Sequence, residues 1–233
     1  MQNWESLKKF FDGSNENLLR NTKENVVKEH LSHYDLRIGE ILKKYKVKRI
    51  LDVGCGEGKV LSSFAKLYPD IDFIGIDISS QNIETAKEKY LLDNTSYYNL
   101  NILDGYQGLG KFDLIFSFSL IQYFDYISSI NLSKNLQAIL NPNGFIVHMS
   151  IPDIKCRIKY FKPKKFSIQN YILFWFRLIL IFIKNKKKYD HNSFWWDAQM
   201  LKRHYEGPNI FVETLPSDSW YRFDLLFKFK EKK

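Results

Sequence analysis

The sequence predicts an α/β fold with a doubly wound, mostly parallel sheet of seven strands, and three observations support this prediction. Short strand-like runs alternate with amphipathic helical patterns between residues 46 and 153. This alternation requires parallel strands with helices on both faces of the sheet. Glycines follow the first strand at every second position, and two strand-like runs near the end, 209–215 and 221–229, form a predicted antiparallel hairpin.

The first strand and its glycine turn are the part around which the other elements are arranged. An apolar run from Ile50 to Val53 is followed by Gly54, Gly56 and Gly58, and a helical pattern begins at Val60. Glycine adopts positive φ and lets a ligand approach without meeting a Cβ atom. The helix that follows offers unpaired N–H groups to an anionic group. The turn therefore predicts a nucleotide-like ligand, and a glycine turn without any ligand is the alternative.

The spacing of the glycines decides between two kinds of ligand. Dinucleotide-binding folds use G-x-G-x-x-G, whereas this chain has G-x-G-x-G after Asp52 and Val53. The run resembles motif I of the class I S-adenosylmethionine (SAM)-dependent methyltransferases. That resemblance implies a Rossmann-like fold, SAM as cofactor with S-adenosylhomocysteine (SAH) as product, and no metal. It also implies cofactor contacts from Asp52, Cys55 and the glycines at 54, 56 and 58.

The second predicted strand, Asp72 to Ile78, contains the acid that the resemblance implies for the ribose. Asp77 lies 19 positions after Gly58, close to the interval of about 20 at which an acid meets ribose hydroxyls. A carboxylate accepts both hydroxyl protons. Asp77 and Ile78 are therefore expected cofactor contacts, and an Asp that only caps the next helix is the alternative.

The third and fourth predicted strands, 97–102 and 112–117, complete the expected cofactor site. The resemblance implies that a residue near the end of the third strand contacts adenine, and this position holds Asn101 where relatives carry an acid. An amide oxygen still accepts a hydrogen bond from the adenine amine, so Asn101 and the backbone of Ile102 are expected there, with Asp104 in reserve. Ser117 ends the fourth strand on the cofactor side.

Three residues are candidates for a general base, which a hydroxyl acceptor requires. Relatives often carry Glu-His after the fourth strand, but this chain has Gln122 and Tyr123. Tyr123 acts as a base only if its pKa is lowered, and a packing aromatic is the alternative. His148, on the predicted fifth strand 145–151, is a base candidate or a buried, hydrogen-bonded histidine. Asp153 lies just beyond that strand.

Composition predicts one domain with additions rather than two independent domains. The chain has 233 residues and a net charge of +9, which favours an acidic partner without identifying one. Its two cysteines have no metal-ligand spacing and its first residues have no export signal, so we expect a cytoplasmic protein. We expect an N-terminal helical cap (1–45), a cofactor-binding core (46–153), a lid insertion (154–195) and a closing helix and hairpin (196–233).

The cap and the lid are expected to hold the acceptor. Arg20 and Gln122 are candidate substrate contacts, and Trp195 and Trp196 suit stacking on a sugar or a lipid tail. Residues 171–183 are almost wholly apolar but too few to cross a bilayer, which needs about 20 residues. With its basic flanks, segment 159–188 is a lid, a homodimer contact, or a peripheral helix on the inner face of an anionic membrane.

The sequence supports three hypotheses about function. The first is a SAM-dependent methyltransferase acting on a small-molecule, sugar or lipid-linked acceptor, at an oxygen atom. The second is a catalytically reduced protein of the same fold that acts in assembly or at a membrane surface, since the Glu-His pair is missing. The third, an RNA methyltransferase, is disfavoured because neither an RNA-binding module nor an Asn-Pro-Pro-Tyr motif is visible in the sequence.

Overall fold

The protein is described from a computed structural model that covers residues 32–105, 108–161, 172–173, 175–176, 194–205 and 210–229. Within these ranges, seven strands form one sheet in the order β3-β2-β1-β4-β5-β7-β6. The strands are β1 (Arg49–Val53), β2 (Asp72–Asp77), β3 (Thr95–Asn99), β4 (Phe112–Phe118), β5 (Leu140–Pro152), β6 (Ile210–Pro216) and β7 (Arg222–Phe229).

Helices connect the strands. A π-helical turn (Asp35–Gly39) leads into α1 (Glu40–Lys44), and 3-10 turns occur at Ile121–Tyr123 and Ile154–Cys156. The remaining α-helices are α2 (Lys59–Leu67), α3 (Ser80–Lys89), α4 (Tyr126–Ala138), α5 (Arg157–Phe161) and α6 (Ala198–Arg203). Side chains cap α3 and α4 at their first turns: Ser79 accepts from the Asn82 N–H at 3.2 Å, and Asp125 accepts from the Ser128 N–H at 2.8 Å.

The predicted fold class is confirmed. β1 to β5 pair in parallel, and β7 pairs antiparallel with both β5 and β6. Because β7 runs against its neighbour, its first residue, Arg222, pairs with Pro152 at the carboxyl end of β5. The end of the chain therefore contributes to the edge of the sheet where the parallel strands end.

Two strands differ from the sequence prediction by more than one residue at an end. β3 spans Thr95–Asn99 rather than 97–102, so Asn101 and Ile102 follow the strand instead of ending it. β5 begins at Leu140 rather than at the predicted residue 145. The register moves from Phe112 opposite Leu140 to Leu114 opposite Phe145, so residues 141–144 form a bulge in the strand.

An apolar core covers each face of the sheet. The edge where the parallel strands end therefore lies between two packed layers. One core includes Leu51, Ile76 and Phe227 with α4 and α6, and the other includes Ile50, Phe73 and Phe116 with α2 and α3. The Ile50, Leu51 and Phe227 side chains are completely buried. Complete burial stabilises an aliphatic side chain of this size by about 1.5–3 kcal/mol.

Asp224, buried on β7, connects the first described helical turns to the sheet. Its Oδ2 atom lies 3.0 Å from Arg37 Nε and 2.8 Å from His33 Nε2, and its Oδ1 atom accepts from the Ser150 N–H at 2.9 Å. Burial alone would raise the pKa of Asp224, but the hydrogen bonds from His33, Ser150 and Arg37 lower it below its usual range.

Several predictions lie partly or wholly outside the described residues. Arg20 and most of the predicted cap (1–45) are outside them, as is most of the segment 159–188. The proposed domain boundaries remain a prediction. Within the described ranges, no helix has the length and apolar character needed to cross a membrane.

Candidate active site

A cavity of about 260 Å³ opens at the carboxyl ends of β1, β2 and β4. In open parallel sheets this crevice is the usual ligand site, because the strand order reverses there and the loops diverge. The residues that line it are Val53, Gly54, Gly56, Ile76, Asp77, Ile78, Asn82, Leu100, Asn101, Ile102, Phe118, Ser119, Leu120, Tyr123 and Phe124.

The glycine turn forms one wall of the cavity. The N–H groups of Gly54 and Cys55 both donate to the Ile76 carbonyl, at 2.8 and 3.1 Å, and join the turn to β2. Gly56 and Gly58 have φ values of +55° and +78°, which L side chains adopt only with strain. A Cβ atom added to Gly56 would meet nothing within 4 Å. The backbone at Gly56 therefore leaves room for a ligand to approach closely.

Asp77 lies beside the turn, at the end of β2. Its Oδ2 atom accepts from the Gly56 N–H at 2.9 Å, and its Oδ1 atom accepts from the Ser79 N–H at 2.8 Å. Asn82, from the first turns of α3, places its Nδ2 atom 3.4 Å from the same Oδ1 atom. These donors orient the carboxylate at the cavity wall.

Asn82 also supplies an unsatisfied acceptor. Its Oδ1 atom is buried and has no hydrogen-bond partner among the described residues. Leaving a buried acceptor unpaired costs about 1–3 kcal/mol, and Asn82 lines the cavity beside Asp77. A carboxylate next to an unpaired amide oxygen fits a ligand with two neighbouring hydroxyl donors, such as a ribose. Asn82 was not identified from the sequence, because the missing partner of its Oδ1 atom is visible only in the folded chain.

Asn101 and Ile102 line the cavity as expected, whereas Asp104 does not. The Asn101 Nδ2 group donates to Asp104 Oδ2 at 3.0 Å, and the Asn101 Oδ1 atom accepts from the Leu103 N–H at 3.1 Å. This turn holds the Asn101 amide at the cavity wall. The structure thus gives Asp104 the role of orienting Asn101.

Three further predicted cofactor residues do not line the cavity: Asp52 on β1, and Cys55 and Gly58 in the turn. Burial raises the pKa of Asp52 well above its usual value, and the charge of Asp77 raises it further. Burial likewise raises the pKa of the Cys55 thiol. Gly58 is required for packing, because an added Cβ atom would lie 2.7 Å from the Tyr97 ring.

His148 lies inside the sheet, away from the cavity where the sequence analysis expected a base. Its Nδ1 atom is 2.7 Å from Ser117 Oγ, and its Nε2 atom is 2.8 Å from the Tyr205 hydroxyl. All three side chains are buried, and burial lowers the pKa of His148 to about 3. His148 points into the core, so both of its ring nitrogens contact other buried side chains. Ser117, which was expected near the cofactor, is one of these two partners.

Of the two other base candidates, only Tyr123 lines the cavity. Burial raises the pKa of Tyr123, and the lowering effects of Gln122 and Arg222 do not reverse this shift. A neutral phenol donates a hydrogen bond rather than removing a proton. Asp153 does not line the cavity; its Oδ1 atom accepts from the Lys155 N–H at 2.9 Å.

The expected acceptor residues have mainly structural contacts. Trp196 is buried and donates from Nε1 to the Ile121 carbonyl at 3.2 Å. Trp195 packs against Tyr160 and Tyr221, with ring centroids 5.3 and 6.1 Å apart. Neither tryptophan lines the cavity, so the structure does not bring them together with the cofactor residues.

Gln122, an expected substrate contact, lies next to the cavity, but its side chain is hydrogen-bonded to other residues of the protein. Its Nε2 group donates to the Ser119 carbonyl at 2.8 Å, and its Oε1 atom accepts from Arg222 Nη2 at 3.2 Å. Arg222 was not identified from the sequence. No sequence pattern connects Arg222 to Gln122, because the two residues meet only through the antiparallel pairing of β7.

Among the described residues, no group of three or more His, Cys, Asp or Glu side chains is arranged to hold a metal ion.

The fold and the cavity are those of a doubly wound α/β protein with a ligand-sized crevice at the carboxyl edge of its sheet. Residues 51–146 match the family described as a methyltransferase domain. This segment, less than half of the chain, is therefore similar to a methyltransferase domain.

Curated relatives match only part of the chain. An uncharacterised protein of Rickettsia prowazekii is 34% identical over 109 residues, which are 45% of this chain and 44% of that protein. A malonyl-[acyl-carrier protein] O-methyltransferase of Ilyobacter polytropus is 33% identical over 101 residues, 43% of this chain and 37% of that enzyme. The chain thus spans less than half the length of these relatives.

A solved structure extends the likeness to the whole chain. An N-methyltransferase from Bradyrhizobium japonicum, crystallised with SAH, aligns with a TM-score of 0.61 over 99% of this chain and 98% of its own. The sequence identity is 17%. A likeness at this identity shows a shared fold.

Proposed function

We propose that the protein transfers the methyl group of SAM to an oxygen atom of a small-molecule or glycan acceptor. The observation that carries this proposal is the cavity wall where Asp77 lies between the unpaired Oδ1 atom of buried Asn82 and the open backbone of Gly56. Two acceptors fit the two ribose hydroxyls, and the glycine turn fits close approach of the adenosyl group. The O-methyltransferase of Ilyobacter polytropus is consistent with oxygen as the target.

The described residues would bind and orient the reactants rather than react with them. Bound SAM supplies an electrophilic methyl group on a sulfonium, and an acceptor atom that approaches in line displaces the sulfur. Asp77 and Asn82 would hold the ribose, and Asn101 would accept from the adenine amine. Phe118, Leu120 and Phe124 line the remaining wall and would exclude water from the methyl group.

Binding of SAH tests the proposal directly. A ligand that binds only the native state stabilises it by RT ln(1 + [L]/Kd), about 2.7 kcal/mol at a concentration of 100 Kd. We expect SAH to raise the melting temperature of the full chain and to give a saturable calorimetric titration. NAD⁺ is the matched control ligand, since it also needs a glycine turn but of different spacing. A melting temperature unchanged by SAH would contradict the proposal.

A second candidate function, contact with an anionic membrane surface, is favoured by one observation. Ile172, Leu173, Trp175 and Phe176 are helical and exposed, with more than half of each residue accessible to solvent. An exposed apolar helix surface with basic neighbours favours binding in the lipid headgroup region. Flotation with phosphatidylglycerol vesicles tests this: the Trp175→Ser/Phe176→Ser variant should bind less than wild type. Phe211→Ser, an exposed aromatic on β6, is the control.

A further inference from the structure

Arg222 is a cation near the cavity, and its described contacts include no acidic side chain. Within the described part of the chain, no carboxylate lies within salt-bridge distance of its guanidinium. Its partners are neutral: Nη2 donates to Gln122 Oε1 at 3.2 Å, and Nη1 contacts the Ser150 carbonyl, Ser150 Oγ at 3.4 Å and Ser119 Oγ at 3.5 Å. An Arg held by neutral acceptors keeps its full charge available for an anion.

The two serines that contact Arg222 have strained backbones. Ser119 has a φ of +51° and Ser150 a φ of +62°, and only one other non-glycine residue in the described ranges, Asn143, has a positive φ. Such conformations are strained in residues other than glycine and concentrate at functional sites. Ser119 follows β4 and Ser150 lies near the end of β5. The hydroxyl groups of both serines contact the guanidinium group of Arg222.

This arrangement places Arg222 directly behind the wall of the cavity on the side away from the ribose residues. Ser119 and Tyr123 line the cavity, and Arg222 is close enough to Tyr123 for its charge to act on the phenol. Gln122 bridges the two by holding the Ser119 carbonyl and Arg222 at once. An acceptor that reaches past Ser119 therefore meets a positive charge.

Among the described residues, this side of the cavity offers no group able to remove a proton. Tyr123 lines the wall with Ser119, and burial raises the pKa of its phenol. His148 and Asp153 do not line the cavity. An acceptor oxygen that is already ionised needs no base from these residues. A carboxylate meets this condition, because its usual pKa near 4 leaves it charged at neutral pH.

We propose that Arg222 binds the carboxylate of a carboxylic acid acceptor and that an oxygen of this carboxylate receives the methyl group. The inference rests on the proposed function and narrows its acceptor class. A bond forms between the carboxylate oxygen and the methyl carbon while the carbon–sulfur bond breaks. The electron pair of that bond goes to sulfur, which gives neutral SAH and a neutral methyl ester. No proton is transferred, and Gln122 acts as a positioning residue for Arg222.

Methyl transfer to matched compounds tests the inference. Wild-type protein is incubated with SAM labelled in its methyl group and with butanoate, octanoate, benzoate or succinate, or with alcohols and amines of the same skeletons. Mild alkali releases an ester methyl as volatile methanol but leaves ether and amine methyls in place. We expect label in the acids and its release by alkali. The value of kcat/KM for the acids should be constant between pH 6 and pH 9.

Two variants of Arg222 locate the carboxylate. Arg222→Gln should raise KM for the acid at least tenfold while SAH affinity stays within twofold, and Arg222→Lys should lie between Gln and wild type. Arg49→Gln is the matched control. Arg49 is also held by neutral carbonyls, those of Lys111 and Leu109 at 2.9 and 3.1 Å, but it lies at the opposite edge of the sheet.

A measurement on unmodified protein keeps the test valid if Arg222→Gln does not fold. The acid should displace a fluorescent carboxylate from the wild-type SAH complex, and its methyl ester should not. Equal displacement by ester and acid, a wild-type KM in a folded Arg222→Gln variant, methylation confined to alcohols or amines, or no methylated acid would each overturn the inference. Failure of the wild-type protein to bind SAH would instead overturn the proposed function.

Discussion

At the scale of single residues, Asp77 and Asn82 are neighbours on the cavity wall, but only Asp77 could be predicted from the sequence. Asp77 was predictable, because an acid about 20 positions after a glycine turn has a known physical role at the ribose. Asn82 becomes visible only in three dimensions, where its Oδ1 atom is buried without a partner beside the carboxylate. In the proposed function, ligand binding at this wall would use the charge of Asp77 and the unsatisfied oxygen of Asn82.

Replacing Asp77 with Asn should weaken SAH binding by about 1–3 kcal/mol, the range for losing one charged hydrogen-bond partner. The amide keeps the shape of the side chain, so the fold should persist. Calorimetric titration of SAH measures the change. Asp72→Asn, exposed at the other end of the same strand, is the control and should leave the affinity unchanged. Wild-type affinity in Asp77→Asn would place the ribose elsewhere.

His148 should make stability depend on pH. Its pKa is about 3 in the folded protein and near 6.5 when unfolded, so the unfolded chain binds more protons between these values. Stability should therefore fall as pH falls, by about 2 kcal/mol between pH 7 and pH 5. Urea denaturation at several pH values measures this, and His148→Gln should lack that part of the slope.

The same variant separates a structural histidine from a catalytic one. Because the His148 ring does not line the cavity, folded His148→Gln should still transfer methyl groups. Complete loss of turnover with normal SAH binding would restore the role of general base. Equal pH slopes in wild type and variant would show that the buried ring is not kept neutral.

At the scale of elements, the strand-turn-helix unit β1–α2 combines two different uses of glycine. The turn passes from Val53, at the end of β1, to Lys59, the first residue of α2. Gly56 leaves open space toward the cavity, whereas Gly58 lies against the Tyr97 ring. The sequence motif contains both glycines in one pattern, and only the packing of β3 against the turn distinguishes their roles.

Alanine at these two glycines should therefore give different results. Both substitutions carry the left-handed backbone strain of about 1–2 kcal/mol. Gly56→Ala should lose little more stability but bind SAH at least tenfold more weakly, since the methyl group occupies the approach of the ligand. Gly58→Ala should be less stable than Gly56→Ala, because its methyl group also meets Tyr97. Thermal denaturation and calorimetry measure the two effects, and the reverse ranking of stabilities would contradict this assignment.

At the scale of the whole molecule, the antiparallel strand β7 connects distant parts of the chain. Asp224 joins it to Arg37 and His33 in the first described helical turns, and to the strained backbone of Ser150. Arg222, two residues earlier, reaches Ser119 and Gln122. One strand thus fixes both the N-terminal helical turns and the proposed acceptor side of the cavity.

Asp224→Asn should destabilise the protein by about 3 kcal/mol, because removing one partner from a buried ion pair leaves the other charge uncompensated. Urea denaturation measures the free energy of unfolding. Glu213→Gln, an exposed acid on neighbouring β6, is the control and should change stability by less than about 0.5 kcal/mol. A loss below about 1 kcal/mol in Asp224→Asn would show that the pair adds little to the connection.

The sequence by itself determined the fold class, and it predicted the residues proposed for the cofactor side of the site. Both depend on local patterns: the alternation of strands and helices, the spacing of Gly54, Gly56 and Gly58, and the interval to Asp77. The tertiary structure alone decided the rest. It buried His148 between Ser117 and Tyr205, left Asn82 Oδ1 without a partner among the described residues, and brought Arg222 to Ser119 and Gln122. Local patterns cannot show the contacts of His148 and Arg222, because these contacts join residues that are far apart in the chain, and Arg222 reaches its partners only when β7 pairs with β5.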